Sequence, residues 1–185
     1  MSSSLKKETQ FLKPEGTPSV AFIGSGNYAT AVLIPAFKQG NAHLYSIASK
    51  TGVSGIYAGK KFGFETITTN TDQLFSDSKV DVFVIATRHN THAEYVIKAL
   101  EVNKHVFVEK PLAMNVKEGE ELIRLSHESG KILFVGHVLQ YHPAIKTIKR
   151  LLAEGKLGRL QYIYSNRLNL GKFRREENIL WSFAP

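Results

Sequence analysis

The sequence predicts an α/β fold, a doubly wound parallel sheet followed by the start of a smaller α+β region. Two observations predict the sheet. Short β-branched, apolar runs alternate regularly with longer stretches of helical spacing, and the runs are apolar throughout rather than on every second residue. Strands of that kind are covered on both faces and joined by right-handed helical crossovers. A third observation marks the end of the sheet: after Gly158 the helical spacing gives way to a β-rich stretch carrying Leu160, Ile163, Tyr164 and Leu168.

The elements follow in order. Ser19 to Ile23 reads as the first strand, and Tyr28 to Gln39 as the helix after it, with Pro35 predicting a kink near Ile34 or a later start. His43 to Ala48 is the next strand and Ser54 to Phe62 the next helix. Asp81 to Thr87 is a strand, followed by a helix over Thr91 to Val102 that carries Ala93, Val96, Ile97 and Leu100, with Asn90 or Thr91 as its cap. Lys104 to Val108 leads to the helix Val116 to Ser129, which carries Leu122, Ile123 and Leu125 and is stopped by Gly130. Lys131 to Gly136 and the helix Pro143 to Glu154 complete the alternation. The stretch after Gly158 reads as the first strand of a second sheet whose partners do not follow, which predicts association or partial disorder there. Residues 1–18 are polar, with Lys6, Lys7, Pro14, Gly16 and Pro18, and are expected to form a disordered arm. The organisation is therefore an arm at 1–18, the main domain at 19–157, and the truncated start of a second domain at 158–185.

Composition narrows the function. With 185 residues, 43% of them apolar and 22% charged, the chain is long enough for one full domain with its own core. The absence of cysteine excludes a disulfide framework, a thiolate metal site and a cysteine nucleophile, and suits the cytoplasm. No apolar run approaches the roughly 18 residues of a membrane span, and the arm has no signal-like apolar core. The net charge of +8 is concentrated late: residues 141–185 carry a surplus of 6 and residues 1–140 a surplus of 2. Without a nucleic-acid motif beside it, that local surplus fits an anionic small molecule or an acidic neighbour better than DNA or RNA.

Four stretches carry candidate chemistry. Gly24-Ser25-Gly26-Asn27-Tyr28-Ala29 lies between the first strand and its helix, the context in which GxGxxA binds a dinucleotide. Gly24 permits the turn, Gly26 lets a pyrophosphate reach the backbone, and Ala29 keeps helix and strand close. The acid that holds ribose hydroxyls at the end of the second strand in NAD enzymes is missing, and Ser49-Lys50 stands there instead. A hydroxyl followed by a cation suits a 2′-phosphate, so NADP is preferred over NAD; the alternative is an ordinary solvated lysine. Glu109-Lys110-Pro111-Leu112 follows a later strand, which projects Lys110 from the carboxyl edge of the sheet, where a cation can polarise a carbonyl or steer a proton. His137, Gln140 and His142 either border the mouth of that site or, for His142, cap the helix that starts at Pro143. His43, His105 and His127 have no partners at ligand spacing, so no metal site is expected.

The sequence resembles the amino-terminal part of the Gfo/Idh/MocA oxidoreductases, from Ser19 to the last residue. The resemblance rests on Ile23-Gly24-Ser25-Gly26-Asn27, Ile85-Ala86-Thr87-Arg88-His89-Asn90-Thr91-His92, Glu109-Lys110-Pro111-Leu112 and Gly136-His137-Val138-Leu139-Gln140-Tyr141-His142-Pro143. It implies a Rossmann-type NAD(P)-binding domain in an enzyme that oxidises or reduces sugars, sugar nucleotides or polyols. It also implies that Lys110 lies beside the nicotinamide and assists proton transfer, and that Thr87, Asn90 and His92 belong to a loop packed along the cofactor. Arg88 stands where the family usually has proline, as in members fused behind an alcohol-dehydrogenase-like module. The family's Asp-x-x-x-His pair belongs to a second domain that would follow this chain. The expectation is therefore a cofactor-binding portion, inactive alone and oligomeric in its full form, with a non-catalytic nucleotide-binding module as the alternative. Arg167, Lys172, Arg174 and Arg175 hint at an anionic sugar or sugar nucleotide.

Overall fold

The first strand is buried along its whole length because neither of its faces meets water. In β1 (Ser19–Ile23), Val20 and Phe22 point to one side of the sheet and Ala21 and Ile23 to the other. The computed structural model describes residues 16–166, which divide into two compact units, one ending at Val135 and one beginning at Gly136.

In the first unit, β1 is followed by a helical segment that begins at Asn27, widens into a π turn over Ala29–Leu33 and continues as α1 (Ile34–Gln39). The Ile34 amide donates five residues back to the Ala29 carbonyl. The wide turn answers the expected kink: Pro35 has no N–H to offer, and one extra residue in the preceding turn accommodates it without ending the helix. The unit continues with β2 (His43–Ala48), α2 (Val53–Phe62), β3 (Thr66–Thr68), α3 (Thr71–Phe75), β4 (Val82–Ile85), α4 (His92–Glu101), β5 (His105–Val108), α5 (Val116–Ser129) and β6 (Leu133–Val135). All six strands are parallel, in the order β3-β2-β1-β4-β5-β6. The doubly wound sheet expected from the sequence is thus present.

Two cores lie on its two faces. One joins Ala21, Ile23, Phe83, Ile85, Val106 and Val108 to Val96, Leu100 and Leu122 of α4 and α5. The other joins Val20, Phe22 and Val84 to Leu33, Ile34 and Ala58. In the second core Phe22 meets Phe37 and Phe64 edge-on, at centroid distances of 5.5 and 5.7 Å. Each such buried side chain contributes about 2 kcal/mol of transfer free energy.

Several expectations need correction. The sequence reading omitted β3 and α3, whose three-residue polar strand and five-residue helix are too short for periodicity to show. Neither Asn90 nor Thr91 caps α4 with its side chain; the Thr91 hydroxyl donates back to the Arg88 carbonyl instead. Gly130 does end α5, in a left-handed conformation at φ 64°. Residues 160–166 run as irregular chain rather than strand, since no segment among the described residues pairs with them. The rest of that stretch and most of the expected arm lie outside the described residues.

At the amino edge of the sheet, His43 Nε2 lies 2.8 Å from Glu65 Oε1 and His43 Nδ1 lies 3.0 Å from Ser19 Oγ. A carboxylate only accepts, so Nε2 donates to it and Nδ1 accepts from the serine hydroxyl. Replacing His43 by alanine is expected to lower stability by about 1–2 kcal/mol while leaving nucleotide binding intact. Denaturant melts check this: an unchanged midpoint would show that the network contributes nothing. Among the described residues no helix is long and apolar enough to cross a membrane.

In the second unit, a short turn over Val138–Tyr141 precedes α6 (Pro143–Ala153). His142 caps α6, its Nδ1 accepting from the Ala144 amide at 3.2 Å.

Candidate functional site

Strand order reverses between β1 and β4, and ligands of such sheets bind at that switch, beyond the carboxyl ends of the strands. Backbone hydrogen bonds tie these ends into a row. Ser49 N–H donates to the Thr68 carbonyl, Gly24 N–H to Ala48, Ala86 N–H to Ile23, and Glu109 N–H to Ile85, at 2.9–3.2 Å. The loops after β2, β1, β4 and β5 therefore sit side by side.

Gly24 has φ 105°, and a Cβ there would stand 2.4 Å from the Ala86 carbonyl oxygen. It must be glycine both for its turn and for the contact between neighbouring loops. At Gly26 the situation is opposite: a Cβ would meet nothing within 4 Å among the described residues. Open space lies above that backbone, at the start of a helix whose first amides have no intrahelical acceptor. Ala29 is buried against the sheet. The buried Ser25 donates from Oγ to Ser54 Oγ at 2.7 Å, which fastens the loop to the first turn of α2. Asn27 and Tyr28 are exposed on the open side. Burial, and secondarily the neighbouring Glu109 carboxylate, pushes the Tyr28 hydroxyl pKa up.

Ser49 and Lys50 divide their roles. The Ser49 side chain is buried and its Oγ accepts from the Gly55 amide at 3.0 Å, satisfying an orphan donor in the first turn of α2. Lys50 is exposed beside it.

In the loop after β4, the Thr87 and Thr91 hydroxyls lie 2.7 Å apart. Arg88 and Asn90 are exposed, but His92 has no exposed surface: its Nδ1 is 2.7 Å from the Pro111 carbonyl and its Nε2 is 3.3 Å from the Thr87 carbonyl. Within this loop the His92 ring lies on the buried side, beneath the exposed Arg88 and Asn90.

Glu109 and Lys110, both half-buried, follow β5. Burial raises the Glu109 carboxyl pKa, and the Lys110 amide and ammonium oppose that rise. Its Oε1 is buried without a hydrogen-bond partner among the described residues.

The structure thus brings together Gly24, Ser25, Gly26, Asn27, Tyr28, Ser49, Lys50, Thr87, Arg88, Asn90, Glu109 and Lys110 on one edge of the first unit. His137, Gln140 and His142 belong to the second unit, where Lys149 Nζ donates to Gln140 Oε1. Arg167, Lys172, Arg174 and Arg175 lie outside the described residues. Sequence reasoning missed Ser54 and the Pro111 carbonyl, the partners of Ser25 and His92, which lie 29 and 19 residues away in the chain, where no local signal encodes them.

A parallel sheet in this order, with a glycine turn at its switch point and an open helix start, defines a dinucleotide-binding domain. A family model described as "Oxidoreductase family, NAD-binding Rossmann fold", GFO_IDH_MocA, matches residues 19–137. The chain belongs to this family, as the resemblance implied. A 2,7-anhydro-N-acetylneuraminate hydratase of Mediterraneibacter gnavus is 35% identical over 101 residues, 55% of this chain and 27% of the relative. The scyllo-inositol 2-dehydrogenase (NAD(+)) of Bacillus subtilis is 31% identical over 103 residues, 56% of this chain and 30% of that protein. Among solved structures, KijD10, a 3-ketoreductase from Actinomadura kijaniata in complex with TDP-benzene and NADP, superposes with a TM-score of 0.70 at 26% identity, covering 75% of this chain and 44% of that one. The chain spans less than a third of the length of these two curated relatives.

Proposed function

We propose that this chain is the cofactor-binding part of an NAD(P)-dependent oxidoreductase acting on sugars, sugar nucleotides or polyols. The observation that carries the reading is the open backbone at Gly26, set at the switch point on the sheet edge that also carries Glu109 and Lys110, two strands over. Two features fit a dinucleotide: the empty space above Gly26 receives a pyrophosphate, and the orphaned Glu109 Oε1 accepts from a ribose hydroxyl. When bound, the nicotinamide supplies the hydride chemistry. The amides from Gly26 to Tyr28 hold the diphosphate, Glu109 orients the ribose, and Lys110 moves a proton to or from the substrate oxygen. Residues 19–157 form the cofactor domain in this reading and 158–185 begin the substrate domain. The full-length enzyme is a cytoplasmic homo-oligomer in this reading. The test is a panel of sugars, polyols and sugar nucleotides assayed with the full-length enzyme for NAD(P)H formation or consumption. Turnover supports the proposal, and cofactor binding without any turnover leaves a non-catalytic module.

The finer reading is a preference for NADP. Lys50 is exposed at the end of β2, no acid stands there to repel a phosphate, and Ser49 spends its acceptor on Gly55 but keeps a hydroxyl proton to donate. Lys50→Ala is expected to weaken NADPH binding about tenfold and NADH binding little. Equal affinities for NADPH in the two proteins would remove the preference.

A further inference from the structure

We propose that His92 is the positioning residue for Lys110, an inference that rests on reading Lys110 as the group beside the nicotinamide. His92 is fully buried at the first residue of α4, so it reaches a ligand only through what it holds. It holds the carbonyl of Pro111, the residue after Lys110. A carbonyl oxygen only accepts, so the His92 Nδ1–H donates to Pro111 across 2.7 Å. On the other side of Lys110, the Glu109 amide donates to the Ile85 carbonyl at 2.9 Å. Lys110 is therefore pinned one residue before and one residue after itself, once by the sheet and once by this ring. The Nε2 edge of the same ring lies 3.3 Å from the Thr87 carbonyl oxygen, so the ring sits between the loop after β4 and the loop after β5. Catalytic geometry is sensitive to such pins, because a displacement of about 1 Å can cost a hundredfold in rate.

A plain core histidine would contribute stability without shaping the environment of Lys110, and the side-chain geometry of substitutes separates the two roles. An asparagine amide nitrogen stands as many bonds from Cβ as Nδ1 does and can donate to Pro111; a glutamine amide nitrogen reaches the place of Nε2 instead. The experiment compares the full chain with its His92→Asn, His92→Gln and His92→Leu variants, without cofactor. Thermal melts report folding. Acylation of Lys110 by an amine-directed reagent over a pH series, read by peptide mass spectrometry against the exposed Lys60, reports its placement. The expected result is that the wild type and His92→Asn share one pH profile, while His92→Gln and His92→Leu shift the Lys110 rate several-fold towards that of Lys60. If His92→Leu does not fold, the contrast between Asn and Gln decides. A Lys110 profile common to all folded variants, or Asn and Gln variants that behave alike, overturns the proposal. Failure of the wild type to bind NAD(P)H would instead count against the functional reading, since the acylation profile is measured without it.

Discussion

Lys110→Met in the full-length enzyme is expected to reduce turnover by about a hundred- to ten-thousand-fold while cofactor affinity stays close to that of the parent. Methionine keeps an unbranched apolar side chain one atom shorter than that of lysine, so the half-buried side chain still fills most of its place after β5. What disappears is the ammonium, the group able to give or take a proton at a substrate oxygen and to polarise a carbonyl. Its removal also takes away one of the two influences that hold down the pKa of the buried Glu109 carboxyl, leaving the Lys110 amide to do so. Glu109 in the variant therefore titrates higher than in the parent, and any binding contributed by its ionised carboxylate weakens first as pH falls. Kinetics with saturating cofactor and a separate binding titration distinguish the two effects. Loss of affinity in proportion to loss of turnover would show that Lys110 serves binding rather than chemistry.

The second large effect separates the two glycines of the turn, which a motif alone treats as equivalent. Gly24→Ala places a methyl group 2.4 Å from the Ala86 carbonyl oxygen and 2.7 Å from its carbon, in a backbone at φ 105°. Neither contact ends on a flexible side chain that could swing away. Steric overlap and backbone strain together are expected to cost about 3 kcal/mol or more, a large part of the 5–15 kcal/mol that stabilises a typical domain. Gly26→Val meets open space, and its effect on stability is expected to stay within about 0.5 kcal/mol. It should nevertheless abolish dinucleotide binding, because the valine fills the volume a pyrophosphate requires. Chemical denaturation paired with nucleotide titration checks both variants. A Gly24→Ala protein as stable as the parent would contradict the close approach of the loops after β1 and β4.

The sheet was legible because its strands advertise themselves. Asp81 to Thr87 and Lys104 to Val108 read as strands from local composition and contain β4 and β5, and Val116 to Ser129 reads as a helix with its stop at Gly130. β3 was not, because Thr66-Ile67-Thr68 is an edge strand of three residues with no apolar run to announce it. The start of α5 carried a readable signal that was passed over: Asn115 accepts from the Glu118 amide, and Glu118 accepts from the Met114 amide, a capping arrangement with Asn and Glu three residues apart. At the site, the types of residue were legible and their partners were not. That Gly24 touches Ala86, that Ser25 bonds Ser54, and that His92 lies beneath Pro111 depend on which loops become neighbours. That adjacency follows from strand order and from no local pattern.

The most direct test of the account is a fluorescence titration of this chain with NADPH and, separately, NADH, with Gly26→Val alongside. The account predicts saturable binding by the parent, tighter for NADPH, and none by a variant that melts as the parent does. A parent chain that melts cooperatively yet binds neither nucleotide would contradict it.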